Sequence, residues 1–210
     1  MTAPLLVAVA EDHVVFRREL VVALERDPAV EVVAEAVDLG RLAPRLTAPP
    51  AVVVVDASDP GGDLVRALVR FLAASAAPVV VMVGPDDDPG PALLAGAAGV
   101  VAKADLVTAG AGPLRDAAGG LPLLGAEGAR ALLGLAREHS VALSARQQEL
   151  LQQLAAGRAV GAVAGWLGSH RGNTSELIGA TIGQIRAAVP GHPFRVERPA
   201  PIPPVDLDPE

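Results

Sequence analysis

Four consecutive valines, Val52 to Val55, stop at Asp56, and similar apolar runs stand at residues 5–10, 30–34, 79–83 and 99–102, the third run opening at Ala51. Such runs, short and almost unbroken in apolar character, suit strands buried on both faces. Between them lie amphipathic stretches near residues 13–27, 39–47, 62–75, 89–97 and 106–117. Strict βα alternation predicts an α/β fold, a (βα)5 parallel sheet with helices on both faces. Aromatic residues are only 2% of the chain while apolar residues reach 51%, so small side chains must fill that core. In such a sheet, chemistry gathers beyond the carboxyl ends of the strands, where the strand order reverses.

Composition removes several function classes. With no Cys there is no disulfide, thiol nucleophile or cysteine zinc site, and the four His lack metal-ligand spacing. The apolar runs fall far short of the ~20 residues of a membrane span, and the opening residues lack a secretory signal. A cytoplasmic protein with no membrane partner is expected. The net charge of −7 is unevenly spread: residues 1–140 hold 18 acidic against 11 basic side chains, and residues 141–210 hold six of each. No broad basic footprint advertises nucleic acid, although local basic residues remain available for phosphate.

The alternation ends near residue 118. Residues 119–127, rich in Gly, Pro and Ala, read as a linker, followed by a helix near 128–138; together they fill 119–140. A second, smaller all-α unit is expected over 141–193. Ser144 with Gln147 forms a capping box for a helix through about Ala156. A weaker helix covers 160–167, with Trp166 expected as a core anchor. Asn173 and Glu176 fit the cap of a longer helix over 173–189, striped by Leu177, Ile178, Ile182, Ile185 and Val189. Prolines at 199, 201, 203, 204 and 209 predict a disordered tail over 194–210.

Glu11 and Asp12 end the first strand, Asp56 ends the third, and Lys103, the only lysine, ends the fifth. Taken singly, each acid is an ordinary solvated loop residue. Taken together, they converge at one edge of a parallel sheet, where clustered carboxylates suit a hard cation such as Mg²⁺. His13 reads as a helix-start residue, and Asp86, Asp87 and Asp88 as a solvated cluster before a helix, favourable to its dipole.

Glu11-Asp12-His13 with Phe16-Arg17, the valine run into Asp56, Pro60-Gly61, and Ala98-Gly99 before Lys103 resemble a receiver domain over residues 4–118. The pattern resembles the NarL/FixJ class of two-component response regulators. Leu143-Ser144-x-Arg146-x-x-Glu149-Leu150-Leu151 and Ala155-x-Gly157 resemble the start of that class's LuxR-type helix-turn-helix. The resemblance implies that Asp56 accepts phosphate from a histidine kinase, that Glu11, Asp12 and Asp56 bind Mg²⁺, and that Lys103 contacts the phosphoryl group. Where the family has a Thr or Ser after the fourth strand, this chain has Val83, and its switching Tyr or Phe is replaced by Val100. Valine offers no hydrogen bond, so activity with weak or no dependence on phosphorylation is expected.

The DNA-reading helix implied by the resemblance lies at 173–189. Its outward positions include Ser175, Glu176, Gly179, Thr181, Gly183 and Arg186, and Arg171, Asn173, Thr174, Ser175 and Arg186 are the expected DNA contacts. The family's Thr-Val-Lys start is replaced by Asn173-Thr174-Ser175, and its last short helix by Gly191-His192-Pro193-Phe194. Two readings stand: an atypical, dimeric, promoter-binding transcription regulator, or a non-DNA-binding interaction protein that heterodimerises with another regulator or binds a small-molecule effector. Neither is an enzyme acting on an external substrate.

Overall fold

The computed structural model describes residues 3–58 and 63–189. Pro60-Gly61, residues 191–194 and the proline-rich tail lie outside the described residues.

Six parallel strands form one sheet in the order β2-β1-β3-β4-β5-β6: β1 (Leu5–Ala10), β2 (Val30–Ala36), β3 (Val52–Asp56), β4 (Val79–Val83), β5 (Gly99–Ala102) and β6 (Leu123–Leu124). The order reverses between β1 and β3, so the cleft for chemistry opens between Glu11 and Asp56. Both β3 and β4 are buried along their whole length, which is why their sequences are valine-rich without polar alternation. Helices α1 (Val14–Glu25), α5 (Lys103–Ala109) and α6 (Gly112–Ala118) supply Leu20, Leu24, Leu106 and Leu114 to the core on one face. On the other face pack α2 (Leu39–Leu42), α3 (Leu64–Ala74), α4 (Gly90–Ala95) and α7 (Ala126–Glu138), through Leu39, Leu68, Leu93 and Leu132.

Five strands stand where the sequence places them, and the sixth corrects the linker reading. Leu123 and Leu124 pair with Gly99 and Val100 inside the Gly/Pro-rich segment. The helix expected over 106–117 is two helices, because Gly110 takes φ +62° between α5 and α6.

The remaining helices are α8 (Ala145–Ala155), α9 (Val160–Trp166) and α10 (Arg171–Ala188). The Ser144–Gln147 capping box is present in both directions. Asn173 is not a cap: α10 begins two residues earlier, after His170. The expectation that Ser175 and Thr181 face outward is also corrected, since both are buried with Thr174, Ile178, Ile182 and Ile185. Burial is tolerated because the Thr174 and Thr181 hydroxyls donate back to the carbonyls of His170 and Leu177 at 3.2 and 2.7 Å, leaving their methyls to pack. Trp166, expected in the core, is 52% exposed at the end of α9.

Candidate functional site

Glu11 directly follows β1, Asp56 is the last residue of β3, and Lys103 begins α5 straight after β5. The strand order puts the end of β4 between Asp56 and Lys103, so the lysine stem must cross it. The ammonium lies 2.8 Å from Asp56 Oδ1 and 3.0 Å from Glu11 Oε2, with both carboxylates buried and Asp12 exposed. Among the described residues, neither of those oxygens accepts a hydrogen bond from any group other than the ammonium, so Lys103 is the group that compensates them there. The Phe16 ring sits 5.1 Å below the ammonium, a contact worth roughly 0.5–2 kcal/mol.

Burial pushes the Glu11 carboxyl above the usual carboxylate range, outweighing the Lys103 ammonium and the His13 N–H, which donates to Glu11 Oε1 at 3.0 Å; the charge of Asp56 adds to the rise. Burial opposes the charge on Lys103, yet the hydrogen bonds to Asp56 and Glu11 and their negative charges prevail, holding its pKa above the ordinary lysine value. Glu11, Asp12 and Asp56 each bring a carboxylate oxygen to within 4.8 Å of the others. An all-oxygen, anionic set of this kind fits a hard divalent cation.

Further residues shape the site, and the roles of Arg17 and Asp87 had little sign in the sequence. Arg17 donates to the Glu11 carbonyl and pairs with Glu35 at 3.4 Å, clamping the end of β1. Asp87 is not simply solvated. It accepts from the Gly84 N–H at 2.7 Å and from the Ser58 hydroxyl at 3.4 Å, bridging the loops after β3 and β4. Asp88 accepts from the Gly90 N–H at the start of α4, and His13 caps α1 by accepting from the Phe16 N–H, as its position suggested. Val83 and Val100 are fully packed in the core, at 1% and 0% exposure.

The five residues expected to meet DNA are not gathered on one open face. Thr174 and Ser175 are buried, Asn173 is exposed, and Arg171 pairs with Asp116 of α6. Arg186 donates to the carbonyls of Leu93 and Ala97 at 2.6 and 2.8 Å, at the carboxyl end of α4. In this arrangement α10 is docked against the sheet domain.

No family model matches the chain, and no curated protein matches it. Among solved structures, it is similar to the response regulator ChrA of a heme-sensing two-component system: 28% identity, TM-score 0.53, covering 89% of this chain and 98% of that one. In architecture this chain resembles an atypical response regulator of the NarL/FixJ class. The RcsB response regulator of Salmonella typhimurium shares the fold at 21% identity and TM-score 0.52, over 88% of this chain and 93% of that one. A structure of two RcsB dimers bound to two parallel DNAs matches at 22% identity and TM-score 0.51, over 87% and 92%. The receiver-like sheet with its smaller helical unit is therefore the fold of a two-component response regulator. Among the described residues no helix is long and apolar enough to cross a membrane.

Proposed function

We propose that the chain is a dimeric, DNA-binding transcription regulator whose activity depends weakly or not at all on phosphorylation of Asp56. The observation that carries this reading is the burial of Val83 and Val100 in the apolar core beside a pocket that is otherwise intact. A phosphoryl group shifts a conformational equilibrium only by interacting differently with the two states. Valine at both positions removes the hydroxyl that would bind that group and the aromatic ring that would move with it. The Gly84 N–H, a further donor at the same edge, is already engaged by Asp87.

The pocket retains the groups for phosphoryl acceptance from a histidine kinase, with Asp56 as acceptor and Lys103 beside it. Glu11, Asp12 and Asp56 would hold Mg²⁺. When bound, the ion would neutralise carboxylate and phosphoryl charge. DNA binding by the dimer is supported by the RcsB–DNA complex of the same fold. The engagement of Arg171 and Arg186 within the protein favours the second reading, an interaction protein that does not touch DNA.

Genome-wide occupancy of the chain in cells, compared with Asp56→Asn, tests both. We expect the same promoters to be bound, and their transcription to be unchanged, in the variant. Loss of occupancy and transcription by a folded, equally abundant Asp56→Asn protein overturns phosphate independence. Absence of any enriched DNA for the unaltered chain overturns DNA binding in favour of the second reading.

A further inference from the structure

A cavity of about 560 Å³ opens between α2, α3 and the loop over residues 46–50. That is the size of a small-molecule site, roughly 300–1,000 Å³. Its walls are apolar: Leu39, Pro50 and Phe71 are buried beside it and Leu46 is half-buried. The space stays open because small residues face it. Gly40 and Ala43 do so from the α2 side, while on α3 Ala67 and Ala74 stand one turn to either side of Phe71 on the same face.

The loop wall is held in place by the protein itself. The Arg45 guanidinium donates to the Glu35 carbonyl at 2.6 Å, and the Ala51 N–H donates to the Leu6 carbonyl at 2.8 Å, so both ends of the loop are tied to the sheet. Between them Pro49 and Pro50 restrict the backbone. A wall fixed in advance lowers the ordering cost of binding.

Arg70 is the one charged side chain lining the cavity, and among the described residues it has no hydrogen bond or ion pair. The other charges nearby are balanced. In the adjoining depression Arg41 pairs with Asp38 at 3.4 Å and Arg66 with Asp63 at 3.1 Å, which leaves the charge of Arg70 uncompensated. Ser75 also lines the cavity; its hydroxyl oxygen accepts from the Ala77 N–H at 3.2 Å, so its proton remains for an outside acceptor.

We propose that this cleft binds a small amphiphilic monoanion, an apolar body carrying one carboxylate. The body packs on Leu39, Leu46 and Phe71, and the carboxylate meets the guanidinium of Arg70, whose planar fork matches its two oxygens. A doubly charged headgroup would keep one charge unmatched, and a neutral one would leave Arg70 unpaired. The chain as a whole carries a net charge of −7, so it repels anions at large and holds one only where a local site favours it. Glu11, Asp12, Asp56 and Lys103 do not line the cleft. The inference therefore goes beyond the proposed function and needs neither phosphoryl transfer nor DNA binding to hold.

Calorimetric titration of the full chain with octanoate, and with 1-octanol as the neutral counterpart, tests it. We expect one octanoate site with a Kd on the order of 100 µM, and 1-octanol bound at least about tenfold more weakly. Arg70→Gln should lower octanoate affinity to that of 1-octanol and leave 1-octanol unchanged, whereas Arg18→Gln, on exposed α1, should change neither. Ala74→Leu fills the cavity from an exposed position and should abolish binding of both. Circular dichroism of the variants should match that of the unaltered chain, and if Ala74→Leu fails to fold, Arg70→Gln decides alone. No saturable octanoate binding with a Kd below about 1 mM overturns the proposal. Equal affinity for octanoate and 1-octanol overturns the anionic class of ligand, and octanoate binding that survives Arg70→Gln overturns the cleft as its site.

Discussion

Lys103 is the residue on which the acidic pocket depends, since among the described residues its ammonium is the one group that compensates the inner oxygens of Glu11 and Asp56. Lys103→Met keeps the stem and removes the charge. Leaving buried carboxylates unpaired typically costs about 3–5 kcal/mol, and we expect a loss of that order at pH 7. The pH dependence has a definite sign. Glu11 is raised from its ordinary 4.5 in the folded state, so its contribution to stability is fully present below that value and is lost as pH rises through the folded one. Lys103 is raised from 10.5, so its contribution is present below 10.5 and is lost above its folded value. Removing the ammonium drives Glu11 further up, and the variant should recover part of its stability between pH 7 and pH 5. Urea unfolding at the two pH values measures this; equal losses at both would show the carboxylates to be indifferent to Lys103. The four pocket residues were legible in the sequence because strand ends in a parallel sheet have fixed neighbours. Asp87 was not, because which of three consecutive acids turns inward depends on the path of the loop after Gly84.

Among the elements, β6 was hidden because two residues carry no periodicity, and Gly and Pro on either side read as a turn. What marks it is Gly99. A Cβ there would meet the Leu123 carbonyl oxygen at 2.1 Å and Leu123 Cβ at 2.6 Å, so only glycine lets β6 approach β5. Gly99→Ala should cost at least about 2 kcal/mol by forcing β6 away. Gly134→Ala is its control, because nothing lies within 4 Å of the added methyl on the exposed side of α7, and it should stabilise by about 0.5–1 kcal/mol. Comparable effects of the two in urea unfolding would show that the β5–β6 contact is dispensable. The position of α10 was legible and its phase only in part. Apolar periodicity identified Ile178, Ile182 and Ile185, but threonines whose hydroxyls bond within their own helix bury as well as valines do, and pattern alone assigns them to water.

The whole molecule is less divided than its charge distribution suggests. The apolar core on one sheet face, with Val53, Val81 and Leu93, continues through Leu132 and Ala136 of α7 to Leu150 and Leu154 of α8 and Ile178 and Ile185 of α10. Helix α7 read as part of a linker because its apolar residues serve two neighbours at once: Leu132 and Ala136 are buried, while Leu133 and Leu135 are half-buried against the same core. Arg186 on the α4 carbonyls, Arg171 on Asp116 and the Arg130 contact with the Ala155 carbonyl at 3.4 Å tie the helical unit to the rest of the chain. A core shared in this way couples the unfolding of its parts, so calorimetry should record one cooperative transition. Leu132→Ala probes the coupling at its centre. Leu132 is 1% exposed, and truncating a fully buried leucine costs about 2–5 kcal/mol including the cavity. At this chain length that lowers the transition by roughly 5–15 °C. If α7 belongs to one core, the whole transition moves down undivided, because the sheet and the terminal helices lose the same support. If the transition splits, with the sheet melting at its original temperature and α8 to α10 earlier, the two units are stable separately and the shared core is only a contact between them.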